Sequence, residues 1–356
     1  MKAIVVRAPG DYGIEEVPVP KVPDGGLLLR VQACGLCGSD LRTLRSGHRR
    51  VRLPWIIGHE ISGVVEGTGA AYRGPARPGD PLVVGPLAYC GTCEFCIAGR
   101  YELCEQQREI AQDWPGGFAQ YVAVPEACVR LGNVRPLPPG LDPVFAAVTE
   151  PMSSCINAHE KAATGLGDTV AVFGGGPVGC LHAGVARARG AFRVAIIDVE
   201  QNRLALAEPF GPDLLVNARR EDPVAALMRF TGGRGAEVVV TATPAPEAVI
   251  QAVAAVRKGG RVVVFGGLPI DNATPAVSWN DIHYKALHVI GTTTFAPRHH
   301  LRAIEMAVSG RIPMDRLVTA RYPLERFAEG VRLATNGDAL KVVFLPEARE
   351  GGVNVR

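Results

Sequence analysis

Four cysteines, Cys90, Cys93, Cys96 and Cys104, stand in the spacing C-x2-C-x2-C-x7-C within a Gly-containing loop after the strand-like run Leu82 to Pro86. Thiolates this close in sequence can wrap tetrahedrally around one zinc and leave no position open for substrate, so the spacing predicts a structural site. Ferredoxin-type iron–sulfur runs also use C-x2-C-x2-C, but their fourth cysteine follows after three residues and precedes proline. Here it follows after seven residues and precedes Glu105, which favours zinc.

A second pattern is Gly174-Gly175-Gly176-Pro177-Val178-Gly179, placed directly after the apolar run Val170 to Phe173 and before the helical Cys180 to Arg189. A lone G-x-G-x-x-G says little. In a strand–turn–helix setting, with Asp198 closing the next strand, it matches a dinucleotide fingerprint. The glycines permit a tight turn and close backbone approach, the helix N-terminus receives the pyrophosphate, and the carboxylate binds ribose hydroxyls. That carboxylate would repel a 2′-phosphate, so the cofactor expected is NAD.

The third pattern joins Cys37-Gly38-Ser39-Asp40, Gly58-His59-Glu60 and the later Glu150-Pro151. Cysteine, imidazole and carboxylate all ligate zinc, and three protein ligands with one open position describe a catalytic site. Spacing does not unite these residues. Taken singly, a Cys such as Cys37 is more often core and a His such as His59 more often a hydrogen-bonded structural residue than a ligand, and Glu60 reads also as a surface charge.

The elements that must position these groups fall into two textures. At 356 residues the chain is long enough for two or three domains, and 47% hydrophobic with 21% charged residues describes a folding chain. Over the first 150 residues, short β-like runs (Ile4 to Val6, Leu27 to Cys34, Ile61 to Glu66, Pro81 to Gly85, Phe118 to Val124) are punctuated by Gly, Pro and Asp and predict a barrel-like all-β domain. Near Asp142 the texture changes to alanine-rich segments with helical spacing and then to alternating strands and helices, which predict a parallel sheet covered on both faces. The tail (helix His300 to Ser309, strand Leu317 to Tyr322, helix Leu324 to Thr335, strand Ala339 to Leu345) is too small for a core of its own and must pack on something earlier. A net charge of +3 with no block of one sign predicts no nucleic-acid partner, and the apolar runs are too short to span a membrane. The first residues read as a strand and not as a secretory signal, so the expected compartment is the cytoplasm. The nine cysteines then point to metal or catalysis, not to disulfides.

In content and order, these motifs resemble the zinc-containing medium-chain dehydrogenases across essentially the whole chain, and within them most closely the polyol (sorbitol-like) dehydrogenase branch. Where simple alcohol dehydrogenases carry a second zinc-binding cysteine, this chain has Glu150 in Thr149-Glu-Pro. The resemblance implies an α/β fold with an all-β domain: a GroES-like β-barrel catalytic domain over 1–154, a Rossmann doubly wound parallel sheet over 155–292, and a segment 293–356 that completes the first domain. It implies that Cys37, His59 and either Glu150 or Glu60 hold a catalytic zinc, that Asp40 orients His59, and that Ser39 takes the substrate proton. Cofactor positions map onto Gly174, Gly176, Val178, Gly179, Asp198 and Arg203, and further onto Gly266-Gly267-Leu268, Thr292 and Thr293. The implied reaction is NAD-linked oxidation of a secondary alcohol of a polyol, sugar or cyclitol, in a homotetramer or homodimer. Alternatives are a threonine-type or simple alcohol dehydrogenase and, from another class, a non-catalytic dinucleotide-sensing or structural zinc protein.

One position departs from many relatives. Their proton relay uses a histidine three residues after the motif serine, where this chain has Arg42. A guanidinium stays protonated and cannot shuttle a proton. Water or His48 then completes the relay, or Arg42 binds a polyhydroxylated or anionic substrate. Cys34, Cys128, Cys155 and Cys180 read as core, His299-His300 as a solvated helix start, and Trp55, Trp114 and Phe118 as pocket lining or packing.

Overall fold

The computed structural model describes residues 1–269 and 272–347 and separates into two units. Among the described residues, the first comprises Met1–Ser153, Phe295–Gly310 and 318–347; the second comprises Ser154–Thr294 and Arg311–Leu317.

In the second unit, six parallel strands lie in the order Leu214–Asn217, Arg193–Asp198, Thr169–Phe173, Ala236–Thr241, Val256–Val264, His288–Gly291. Numbered along the chain this is 3-2-1-4-5-6, the doubly wound order with its switch point between the first and fourth strands. The central strand Thr169–Phe173 is buried along its whole length, which explains its unbroken apolar sequence. The outer strands Leu214–Asn217 and His288–Gly291 are only partly covered, and their weak apolar pattern escapes the sequence reading. Arg311–Leu317 belongs to this unit and not to the catalytic segment expected from sequence. Ile312 fills the space over Gly184, whose absent Cβ would lie 3.1 Å from it. Thr293 and Thr294 also stay here, their carbonyls accepting hydrogen bonds from Asn157 Nδ2.

The first unit is rich in β-strands. Its seven-stranded sheet runs Val318–Tyr322, Lys341–Phe344, Leu27–Gly35, Glu60–Thr68, Pro81–Val84, Val134–Pro136, with Tyr121–Val124 also pairing on Leu27–Gly35. Register shifts at Leu28/Leu29 and Val31/Ala33 bend the central strand, as closure of a curved sheet requires. The tail has no separate core. Its strand pairs antiparallel with the central one, Val343 opposite Gly35 and Phe344 opposite Cys34, and Phe327 and Phe344 pack around Phe118 at ring separations of 5.0 and 5.5 Å. Among the described residues no helix is long and apolar enough to cross a membrane.

Two histidines are enclosed in the second unit. His159 Nδ1 meets Thr164 Oγ1 at 2.9 Å, its Nε2 meets His182 Nδ1 at 3.2 Å, and the His182 ring stands edge-on to Phe265. Burial, reinforced by the Arg189 charge, lowers the His159 pKa to about 3, and burial lowers His182 well below its ordinary value. Both rings are therefore neutral in the folded protein and take up protons on unfolding below about pH 6.5. Stability held above that pH should fall as the solution is acidified, by up to about 1.4 kcal/mol per pH unit for each ring. Urea unfolding between about pH 4.5 and 7.5 measures the slope, which His182→Gln should reduce; an unchanged slope assigns the acid lability elsewhere.

Candidate active site

The chain enters the site at the end of the central strand. Cys37 caps the helix Gly38–Ser46, and the Asp40 carboxylate accepts a hydrogen bond from the Cys37 backbone N–H at 2.9 Å, which closes the first turn. This helix, absent from the sequence reading, fixes Cys37, Ser39 and Asp40 together. Its N-terminal end favours negative charge, as suits a metal-binding sulfur. His59 enters from the loop before the strand Glu60–Thr68, and Glu60 opens that strand opposite Gly35.

Cys37, His59 and Glu60 each present a donor atom, all within 4.8 Å of one another. Asp40 Oδ1 stands 3.7 Å from His59 Nδ1, an ion-pair separation that holds the ring from behind. The sequence left Glu60 and Glu150 as alternatives. The structure brings Glu60 into the donor group, while Glu150, in the first turn of the helix Thr149–Lys161, lies outside it.

Charge in this place is costly. Asp40, His59, Glu60 and Glu150 are all buried. Burial raises the Asp40 pKa against the pull of His59, and raises Glu150 to about 8. Burial would lower His59, but the charges of Asp40 and Cys37 outweigh it and lift it well above the ordinary imidazole value. A sulfur, an imidazole and a carboxylate converging among buried acidic groups fit zinc.

The second cluster is closed. Cys90, Cys93, Cys96 and Cys104 lie within 4.8 Å of one another, with Cys90 Sγ 3.9 Å from Cys96 Sγ and 3.6 Å from Cys104 Sγ. A tetrahedron of sulfurs about 2.3 Å from zinc has edges of about 3.8 Å, so the spacing matches a zinc site and is far too long for a disulfide. The Thr92 and Cys93 backbone N–H groups lower the Cys90 thiol to about 6, whereas burial pushes Cys96 up to about 12 and raises Cys104. Four thiolates ionise together here only around a cation.

In the second unit, the Gly174–Gly179 loop leaves Thr169–Phe173 and opens the helix Pro177–Ala188. Gly174 has φ +113°, and a Cβ on Gly179 would lie 1.8 Å from the Gly174 carbonyl, so turn and helix approach without side chains. Gly176, at the helix N-cap, has open space where its Cβ would stand. That cradle fits a pyrophosphate. Asp198 is held at the loop, its Oδ2 accepting from Gly175 N at 2.6 Å and Oδ1 from Glu200 N at 2.8 Å. Val178 lies on the helix of this loop and Arg203 on the helix Gln201–Ala207; Gly266-Gly267-Leu268 and Thr292-Thr293 follow the carboxyl ends of the last two strands. This is the edge where doubly wound sheets bind ligands.

Other expectations divide. Cys34, Cys128, Cys155 and Cys180 are core residues, and Phe118 is core as well, while Trp55 and Trp114 pack partly buried against it. His299 and His300 are fully buried and not solvated as their sequence position suggests, because the helix Pro297–Val308 starts inside the first unit; His299 Nδ1 accepts from Ala296 N. The sequence reading missed Lys341. Its only signal is a lysine at the head of an otherwise apolar strand, and the structure places it beside Glu60.

Residues 23–133 match the family model described as "Alcohol dehydrogenase GroES-like domain", and residues 177–309 match "Zinc-binding dehydrogenase". The chain is 32% identical to an L-threonine 3-dehydrogenase of Bacillus velezensis, with 97% of this chain and 99% of that protein covered. It is 34% identical to an erythritol/L-threitol dehydrogenase of Mycolicibacterium smegmatis, covering 97% and 98%. A zinc-binding dehydrogenase of Sinorhizobium meliloti, solved with NADP bound, is similar with a TM-score of 0.88 and 31% identity, covering 97% and 99%.

Metal analysis of the purified protein should find two zinc ions per chain. Cys37→Ala should lose one with folding retained, whereas Cys93→Ser should lose the other and lower the melting temperature. Near-zero zinc in the unsubstituted protein, or the visible absorbance of an iron–sulfur cluster, rejects this assignment of the two donor groups.

Proposed function

This chain belongs to the zinc-dependent medium-chain dehydrogenase family, and we propose that it oxidises a secondary alcohol of a polyol, sugar or cyclitol with NAD as hydride acceptor. Membership sets aside the non-catalytic, dinucleotide-sensing reading. The observation that carries the proposal is the convergence of Cys37, His59 and Glu60, an open donor group, in a chain that also presents the glycine cradle beside Asp198.

When bound, zinc supplies a Lewis acid that acidifies the substrate hydroxyl, and the dinucleotide supplies the hydride acceptor. The chain's own residues do the rest. Cys37, His59 and Glu60 would hold the metal, and the Cys90 to Cys104 group would hold the second zinc away from chemistry. Asp40 fixes the His59 ring through Nδ1, so that Nε2 is the nitrogen left to ligate. Ser39, half-buried beside Asp40 on the same helix, receives the hydroxyl proton. Arg42 is exposed and permanently charged and cannot pass the proton on. Burial and the charges of Arg42, Arg50 and Arg49 lower the His48 pKa, so this ring is neutral at pH 7 and able to accept a proton. Asp198, fixed by two backbone N–H groups, would bind ribose hydroxyls and repel a 2′-phosphate, which supports NAD for this chain although the Sinorhizobium meliloti protein was solved with NADP. The threonine dehydrogenases among the relatives support a second reading, an amino alcohol whose carboxylate Arg42 would meet.

A spectrophotometric screen of polyols, sugars, inositols and threonine with NAD and NADP tests the proposal. NAD should be preferred at least about 10-fold in kcat/KM, with Asp198→Ala narrowing the gap. Ser39→Ala should lower kcat on the order of 100-fold, whereas Arg42→Ala should mainly raise KM. Turnover should also fall in acid, on a limb displaced below the ordinary imidazole range because the His48 pKa is lowered, and this limb should vanish in His48→Gln. Turnover of threonine alone moves the substrate to the second reading, and preference for NADP rejects the role given to Asp198.

We also infer self-association through the second unit. The strand His288–Gly291 is a sheet edge with Val289 half exposed, and the helix Trp279–Tyr284 exposes Trp279 and Tyr284 to about three-quarters. Light scattering should report a dimer or tetramer, and Val289→Asp with Trp279→Glu should shift it to a smaller species. A monomer in the unsubstituted protein removes the inference.

A further inference from the structure

Lys341 and Glu60 are 281 positions apart in sequence and form an ion pair at 2.5 Å, Nζ to Oε1, that solvent barely reaches: the side chains are 3% and 0% exposed. The ammonium donates a second hydrogen bond to the Leu36 carbonyl at 2.9 Å, so its place is fixed by backbone on one side and carboxylate on the other. Lys341 opens the strand Lys341–Phe344, which is zipped antiparallel to the end of Leu27–Gly35, while Glu60 lies opposite Gly35 on the other side of that strand. The carboxylate lies against the Gly35 backbone, where a Cβ would stand 2.0 Å from Glu60 Oε2. Oε2 itself is buried and has no hydrogen-bond partner among the described residues. A buried carboxylate oxygen left without a partner costs free energy unless a cation meets it. Glu60 is also one of the three groups whose donor atoms lie within 4.8 Å of one another.

We propose that Lys341 is a positioning residue for the catalytic zinc: by holding Oε1 it restricts Glu60 to one available oxygen, Oε2, and keeps this carboxylate a weak, single-oxygen ligand. The reasoning is one of competition. A carboxylate with no rival cation closes on a divalent metal with both oxygens and its full charge. One whose first oxygen is bound to a buried ammonium offers a single oxygen and much less net charge. The first arrangement retains metal tightly and crowds the position a substrate oxygen needs; the second leaves it open. Gly35 is part of the device, because any side chain there would displace the carboxylate from the ammonium.

The proposal rests on zinc occupying the Cys37–His59–Glu60 group, so the experiment first counts metal in the holoenzyme. One zinc per chain overturns both that reading and this proposal. With two present, zinc release to a colorimetric chelator is followed, the four-cysteine site serving as internal reference. Lys341→Met should slow release from the catalytic site on the order of 10-fold and lower kcat by a similar factor, and Lys341→Arg should stay within about 3-fold of the unsubstituted protein. Cobalt substituted for the catalytic zinc should show a changed d–d spectrum in Lys341→Met, a signature that a merely structural ion pair would not move. The decisive comparison is made with Glu60→Gln, where no carboxylate remains to restrain. There, adding Lys341→Met should leave zinc release unchanged, and this pair carries no unpaired buried charge, so it remains informative if Lys341→Met alone fails to fold. A persistent effect of Lys341→Met in the Glu60→Gln background assigns it to through-space charge and overturns the proposal. Faster zinc release in Lys341→Met overturns it too.

Discussion

Buried negative charge is the constraint around which the first unit is built. Asp40, Glu60 and Glu150 are buried with the half-buried Cys37 near them, and ionised groups so placed are costly unless positive charge arrives with them. The compensation comes from separate parts of the chain: His59 from a loop, Lys341 from the last strand, and the divalent cation for which the donor set is suited. The helix Gly38–Ser46 exists in its observed form because Asp40 serves its first turn through the Cys37 N–H while the same carboxylate faces His59. The tail strand is thus more than packing, since it delivers the one buried ammonium that faces Glu60 among the described residues.

The two metal groups show opposite ways of making a site. Cys90, Cys93, Cys96 and Cys104 come from one short loop, so local turns suffice to bring four sulfurs to tetrahedral spacing, and a closed shell follows because every donor is sulfur from the same loop. The catalytic group is assembled from segments about twenty residues apart, with a lysine from far along the chain beside it. Its openness to substrate depends on what neighbouring charges hold back as well as on what the ligands supply.

The second unit solves a different problem, with backbone and one carboxylate. Its expected cofactor residues lie at or beyond the carboxyl ends of parallel strands, where chain direction alternates between sheet and helix and a helix N-terminus favours a phosphate. Asp198 spends both oxygens on the N–H groups of Gly175 and Glu200 and so is part of the loop's scaffold before any ribose arrives.

The sequence by itself determined whatever is encoded locally. Cysteine spacing specified the closed four-cysteine cluster, the glycine pattern with Asp198 specified the strand–turn–helix loop, and alternating apolar runs specified the parallel sheet, because each depends on neighbours a few residues apart or on burial of a whole segment. Short, half-covered strands such as His288–Gly291 and the helix Gly38–Ser46 stayed hidden, since little apolar periodicity survives where only one or two residues face a core. Only the tertiary structure brought Glu60, and not Glu150, into the donor group with Cys37 and His59, buried His299 and His300, moved Arg311–Leu317 to the second unit and put Lys341 against Glu60. Those outcomes turn on which strand lies beside which and on how much water remains between them. Strand order and dehydration are properties of the assembled sheet, and no local spacing in the chain records them.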